Sequence, residues 1–236
     1  MVRPSGSYAV MAQTPSAADK LALFPTPPWA TRALCEWLVE AGYQLPVSDC
    51  LEPACGKGHM ARPLLEYFNS VASSDVIDFG FGLQRDFLMS GDSEQFDWII
   101  TNPPFALAEQ FIVQALQRSR VGVAIFVRTS FLEGVGRYDR LFTAQKPKAI
   151  LQFTERVPLV KGRCDANAST ATAYCWIVWA RGRAGWPTEF HWIAPSRKRL
   201  ERPGDYDQPE EVTPVAFEGE QADDGVDVTR LLGSAS

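Results

Sequence analysis

The order of apolar and polar positions divides this chain into a leader, a run of alternating strands and helices, a pair of strands, and a polar tail. Residues 1–22 are rich in Ser, Ala and Pro, show no periodic apolar face, and read as a flexible leader. In the segment 27–41, PPWATRALCEWLVEA, the residues Trp29, Leu34, Trp37 and Leu38 recur at helical spacing, with prolines at the start and Gly42 just past the end. That pattern predicts a helix. Short apolar runs then end at Glu52, Asp75, Thr101 and Arg128, and helical patterns over 57–69 and 107–118 lie between them. Strands alternating with helices predict a parallel sheet with right-handed crossovers. After Ala149 two strand-like stretches, 148–159 and 170–181, follow each other without a helix, joined by a polar loop from Val160 to Thr170. An antiparallel hairpin should therefore finish the sheet. The fold predicted is α/β, Rossmann-like, with helices on both faces. One domain should span 23–194, followed over 195–236 by a basic and then acidic tail, partly disordered.

Composition narrows the setting. The 236 residues are 46% hydrophobic, enough for one α/β domain with a sizeable core. No apolar run approaches the roughly 20 residues of a membrane span, and Met1 to Lys20 lacks a basic region followed by an apolar one, so a soluble, cytoplasmic protein without a membrane partner is expected. The five cysteines form no CxxC pair, which predicts reduced thiols and no metal. Charge is segregated: net −7 over 1–117, +10 over 118–202 and −8 over 203–236. A basic second half suits a polyanion, because each Lys or Arg that neutralises a phosphate releases a counterion. The acidic tail beyond Pro203 is expected to be dispensable for folding and to restrain nucleic-acid binding by competing for that basic face.

Candidate chemistry begins at the end of the first strand, in Glu52-Pro53-Ala54-Cys55-Gly56-Lys57-Gly58-His59. The two glycines permit a tight turn and close approach of a ligand to the backbone, and a helix N-terminus with unpaired N–H groups follows. Gly56-x-Gly58-x-x-Ala61 also satisfies the loose dinucleotide fingerprint. Glu52 favours a different cofactor: it would repel a pyrophosphate and attract an ammonium or sulfonium. Asp75, at the end of the second strand, stands where such folds bind ribose hydroxyls, with Asp78 the nearby competitor. Asp86 is placed to accept from an adenine amino group, with Phe87 packing against the base. Cys55 reads as a small residue packed beneath the loop, and His59 as a residue without a catalytic role.

The third strand runs directly into Asn102-Pro103-Pro104-Phe105. The prolines stiffen the backbone and remove donors, leaving the Pro103 carbonyl free to accept. An exocyclic amine is a poor nucleophile because its lone pair is delocalised into the ring. Acceptance of its two hydrogens by the Asn102 side-chain oxygen and the Pro103 carbonyl would pyramidalise the nitrogen and stabilise the charge developing on it. Phe105 is available to stack on an extruded base.

In their order, Phe24-Pro25-Thr26-Pro27-Pro28, then Glu52 to Gly58, then Asn102 to Phe105 resemble the class I S-adenosylmethionine-dependent amino-methyltransferases, specifically small phage-type or orphan γ-type N6-adenine DNA methyltransferases. The resemblance covers roughly 24–181. It implies a seven-stranded sheet ending in the hairpin, S-adenosylmethionine as cofactor, and closure of Thr26 and Pro27 over the cofactor's methionine end. The cofactor set it implies is Thr26, Pro27, Glu52, Pro53, Ala54, Gly56, Gly58, Asp75, Asp86, Phe87 and Asn102. The catalytic set is Asn102, Pro103, Pro104 and Phe105. DNA is the expected partner, with a separate specificity subunit or a homodimer as further expectations, because nothing here has the size of a target-recognition domain. Arg128, Arg137, Arg140, Arg156, Lys161 and Arg163, together with Lys146 and Thr129, are the candidates for holding it. Methylation of RNA bases or of a protein glutamine, and a catalytically silent cofactor-binding subunit, are the alternatives.

Overall fold

The computed structural model describes residues 23–89, 91, 94–182 and 186–207; the leader 1–22 and the tail beyond 207 lie outside them. Eight strands form the sheet: β1 (Asp49–Glu52), β2 (Ser70–Asp75), β3 (Leu83–Gln84), β4 (Phe96–Thr101), β5 (Ser119–Arg128), β6 (Ala149–Phe153), β7 (Tyr174–Ala180) and β8 (Glu189–Ile193). Their order is β3-β2-β1-β4-β5-β7-β6-β8. Every pairing is parallel except those of β7, which runs antiparallel to both β5 and β6.

Both faces are covered, and the strands alternate between them. On one side Trp98, Ile100, Ala124, Phe126, Leu151, Trp176 and Val178 pack with helix α1 (Pro28–Glu40). On the other, Ile99, Val123, Ile125, Cys175, Ile177 and Trp179 pack with Phe111 and Ile112 of a later helix, Ala108–Arg118. Burial on both faces makes the central strands continuous apolar runs. Gly122 lies inside β5, where a Cβ would stand 2.6 Å from the Trp98 ring, so the smallest residue makes room for one of the largest. Helix α1 starts at Pro28, ends where Gly42 takes φ 90°, and is tied to β7 by the Trp176 indole N–H donating to the Ala30 carbonyl at 3.0 Å.

Two elements differ from the sequence expectation. The helix expected over 57–69 is one short turn, α2 (Ala61–Leu64), between non-helical turns. Gly58 at φ 79° holds the chain out of helical geometry before it, and Pro63 has no N–H to donate. The helix Ala108–Arg118, here α3, forms as expected. The sheet has eight strands, not seven, because β8 extends the edge beside β6. It has no continuous apolar run: Phe190 (52% exposed) and Trp192 (68%) point to one side, and His191, beside Trp37 at 5.3 Å, to the other.

The chain also stays packed beyond residue 195, where the tail was expected to begin. Helix α4 (Arg197–Leu200) buries Leu200 against α1. Asp205 accepts two hydrogen bonds from the buried Arg32 guanidinium, at 2.7 and 2.9 Å, and Glu66 and the Leu200 carbonyl take its remaining donors. Burial works against this charge, yet the hydrogen bonds it donates to Asp205 and Glu66 hold its pKa above the ordinary arginine value. Residues 204–207 are therefore part of the fold, contrary to a dispensable segment beginning at 204. Removing one partner of a buried ion pair strands the other charge. Asp205→Ala is expected to lose about 3 kcal/mol, a fall in melting temperature of roughly 6–12 °C. The exposed Asp207→Ala should stay within about 0.5 kcal/mol, and thermal unfolding of the two variants compares them.

Candidate active site at the carboxyl ends of the strands

The chain reverses its direction of travel across the sheet between β1 and β4, and open α/β sheets bind ligands outside the carboxyl ends of strands at such a point. Glu52 ends β1, Asp75 ends β2, Asn102 follows β4 and Arg128 ends β5, so the fold gathers these residues at one edge.

The glycine loop is bolted to β2. The Cys55 N–H donates to the Ser74 carbonyl at 2.9 Å, and the Gly56 N–H to the Asp75 carboxylate at 2.9 Å. The same carboxylate accepts from the Ile77 and Val76 N–H groups, and burial nevertheless raises its pKa. Three backbone bonds occupy most of its four lone-pair positions. Asp75 thus shapes the loop before it does anything to a ligand. Asp78 only caps the Gly80 N–H at 2.8 Å, on the exposed side. Gly56 and Gly58 take φ 52° and 79°; a Cβ on the first would meet the Leu23 side chain, and on the second the Phe81 ring at 2.6 Å. Cys55 is buried beneath, its thiol on the Phe81 carbonyl at 3.3 Å. His59 is buried and its pKa is pushed down to about 4, by burial and then by Lys57 and Arg62.

The segment before α1 forms a strap across this edge. The Leu23 side chain lies at Gly56, the Leu23 carbonyl accepts from the Gly162 N–H at 2.8 Å, and the Phe24 carbonyl accepts from the Asn102 side-chain amide at 2.8 Å. A carbonyl can only accept, so the Asn102 amide is fixed with Nδ2 toward Phe24 and Oδ1 directed away. That Oδ1 is buried and lacks a donor, as do Oε2 of Glu52, Oγ1 of Thr26 and Oγ1 of Thr101. Burial, and then the charge of Asp75, raise the Glu52 pKa well above the carboxylate range, although the Ala61 N–H donates to it. An unmatched buried polar atom costs about 1–3 kcal/mol. Asn102 Oδ1 and an ionised Glu52 can only accept, and the two threonine hydroxyls can accept or donate, so these unpartnered atoms suit a ligand that brings N–H, O–H or positive charge. In the turn Phe105–Leu107 the Leu107 N–H takes the Pro104 carbonyl at 2.8 Å.

Sequence reasoning placed two aromatic groups imperfectly. Phe87 is 2% exposed, with Phe111 and the Arg118 guanidinium 5.2 Å from its ring, so its ring is part of the core. Asp86 caps the Leu88 N–H at 2.9 Å beside it. Phe105 is half-buried, with Phe24 5.7 Å away and the Arg128 guanidinium 4.4 Å from its centroid. Phe24 was read only as part of a motif, and its ring contact has no signal in the sequence.

Among the described residues part of the segregated charge is paired within the chain. Second-half arginines pair with first-half acids: Arg199 with Glu36 at 2.6 Å, Arg202 with Glu66 at 2.9 Å, Arg120 with Asp49 and Asp97, and Arg140 with Glu109 at 2.9 Å. Of the six predicted nucleic-acid contacts, Arg140 is paired in this way, Arg163 pairs with Asp165, and Arg137 donates to the Phe131 and Glu133 carbonyls. Arg128, Arg156 and Lys161 lie at or after the carboxyl ends of β5 and β6. Lys146 lies at the opposite edge, lining with Lys148, Trp179, Arg181 and Glu189 a cavity of about 410 Å³ that contains none of the motif residues. Among the described residues no group of three or more His, Cys, Asp or Glu could hold a metal ion, and no helix is long and apolar enough to cross a membrane.

No family model matches the chain, and no curated protein matches it in sequence. Solved structures do match it in shape. A Pyrococcus horikoshii protein assigned as an RNA methyltransferase superposes with a TM-score of 0.53 at 15% identity, over 71% of this chain and 91% of that one. A Listeria monocytogenes protein assigned as a class I S-adenosylmethionine-dependent methyltransferase gives 0.55 at 14% identity, over 82% and 70%. The methyltransferase subunit of a type I restriction-modification system from Streptococcus thermophilus gives 0.52 at 12% identity, over 69% of this chain and 46% of that subunit. At such identities the likeness concerns the fold, and the fold is that of the class I S-adenosylmethionine-dependent methyltransferases.

Proposed function

We propose that this protein transfers a methyl group from S-adenosylmethionine to an exocyclic amino group, N6 of adenine in DNA. The observation that carries the reading is the Asn102 amide: half-buried at the carboxyl edge of the sheet, oriented by the Phe24 carbonyl, with its buried oxygen left without a donor. S-adenosylmethionine supplies a methyl group on a sulfonium, already electrophilic. Glu52, Thr26 and the strap would hold its charged methionine end, Gly56 and Gly58 would let it approach the backbone, and Asp75 and Asp86 would meet its ribose and adenine.

The work left to the protein is to raise the nucleophilicity of an amine. Asn102 Oδ1 and the Pro103 carbonyl each accept one amino hydrogen and draw electron density toward the nitrogen as its lone pair leaves the ring. Positive charge developing on that nitrogen is stabilised by acceptors already in place, so little reorganisation is needed at the moment of attack. The proton released afterwards needs only a weak base, since an alkylated aryl ammonium is strongly acidic. Phe105 holds the extruded base by stacking, and Arg128 and the loop after β6 meet the phosphates.

Asn102→Ala is expected to lower single-turnover methylation of DNA by about 10²–10³. The same change removes a hydrogen bond of the strap, so cofactor affinity should also fall by roughly fivefold, about 1 kcal/mol. Phe105→Ala should weaken oligonucleotide binding by about 1–3 kcal/mol, and Phe105→Trp should not. Single-turnover rates near wild type in Asn102→Ala would rule out the mechanism, and labelled methyl groups appearing only in RNA or protein pools would rule out the substrate.

Glu52 makes the binding step depend on pH. Its pKa is raised by burial, and a cation beside it favours the carboxylate, so binding should expel a proton and tighten as pH rises, levelling off once Glu52 is ionised in the free protein. Calorimetry in buffers of different ionisation enthalpy reads that proton directly. Glu52→Gln should abolish the release and bind S-adenosylmethionine at least tenfold more weakly. With a folded-state pKa above the unfolded one, the stability Glu52 contributes in acid is lost as pH rises toward the folded value. The same variant without cofactor should therefore melt higher than wild type in mildly alkaline buffer, with the difference disappearing in acid.

A further inference from the structure

Arg128 differs from most arginines of this molecule in what holds it. Arg32, Arg120, Arg140, Arg163, Arg197, Arg199 and Arg202 each meet a carboxylate. No carboxylate among the described residues pairs with Arg128, which is exposed at the end of β5. Its guanidinium lies 4.4 Å from the Phe105 centroid, and its charge acts on the buried Tyr174 hydroxyl, a neutral group whose ring stacks on Phe126 at 5.2 Å. An unpaired cation thus rests on the aromatic ring that follows Asn102-Pro103-Pro104.

We infer that Arg128 is a place-holder that a nucleotide displaces: the target base takes the face of Phe105, and the guanidinium turns to the phosphate of the same strand. The inference rests on reading Phe105 as the ring that receives the base. An exposed cation–π contact is worth about 0.5–1 kcal/mol, and a stacked base about 1–3 kcal/mol. A base alone gains little by displacing the guanidinium. A ligand that brings an anion as well supplies the charge-assisted hydrogen bonds the guanidinium lacks. The exchange is favourable for a base attached to a phosphate, which selects nucleic acid over a nucleoside and over a protein amide, since the last has neither ring nor anion. Arg128 is on this account a specificity-determining residue, acting at the entry of the base and not on the methyl group.

The test uses the full chain with a fluorescently labelled single-stranded oligodeoxynucleotide containing one adenine, followed by anisotropy across a salt series, and with deoxyadenosine followed by calorimetry. Arg128→Met keeps the length and apolar stem and removes the charge. It should bind the oligonucleotide about tenfold more weakly at low salt, with the slope of log affinity against log salt reduced by about one, while deoxyadenosine binds as well as to wild type or up to threefold tighter. Arg128→Lys should restore the slope. Arg120→Met, at the other end of β5 and paired with Asp49 and Asp97, should leave the slope unchanged. An unaltered slope in Arg128→Met would overturn the inference, as would equal losses for oligonucleotide and nucleoside. A wild-type protein that binds neither ligand would overturn the reading of the pocket as a base site, and the inference with it; binding to wild type with no effect of Arg128→Met would overturn the inference alone.

Discussion

The hydrogen bond from the Asn102 amide to the Phe24 carbonyl joins two parts of the chain, 78 residues apart, that form opposite walls of the same edge. It sets which atom of the amide points outward, and it holds in place a segment whose prolines leave few donors of its own. Leu23, one residue earlier, reaches Gly56 with its side chain and Gly162 with its carbonyl. Glycine loop, proline motif and the loop after β6 are thus indexed to one another through two consecutive residues. Buried acceptors without donors are tolerated where a scaffold fixes them, because relaxation toward a partner would break several other contacts.

Electrostatics in this molecule is a matter of pairing across the sequence more than of fields. Acids of the first half and arginines of the second meet along α1, β1 and α3, and they cancel a segregation that looks large when residues are counted in order. Three groups at the carboxyl edge escape this cancellation. There Glu52 and Asp75 are buried near each other with their pKa values raised, and Arg128 stands without an acid among the described residues. The uncompensated groups are those with access to something outside the chain, as expected where stability yields to function.

Elements whose geometry demands a residue type were legible in the sequence. Positive φ required glycine at 56 and 58, the stripe Trp29, Leu34, Trp37 and Leu38 required a helix, and the apolar runs of β4, β5 and β7 required cover on both faces. Depth was not legible. Asp86-Phe87 reads the same whether the ring meets a ligand or the core, and only the fold places Phe111 and Arg118 on it. Strand β8 escaped because its alternation is inverted: the exposed positions carry Phe190 and Trp192, ring against ring, and the half-buried ones carry the polar Glu189 and His191. The short turn α2 escaped because a single proline and a left-handed glycine outweigh a helical pattern of apolar residues. The packing of 196–207 escaped because its anchor is a polar pair, which hydropathy counts as surface.

That anchor has a consequence for the order in which the protein can be made. Arg32 and Asp205 are separated by 173 residues. At about 5–20 residues per second of synthesis, roughly 10–35 s pass between the ribosome's delivery of the cation and of its counter-charge. Through that interval α1 carries an arginine whose final burial has only Glu66 to offset it, so docking of the first helix on the sheet is weakest while the rest of the domain is emerging. The sheet face that α1 covers is complete once β7 has been made, so what residues near the end of the described chain add is the second counter-charge of Arg32 and the cover of Leu200.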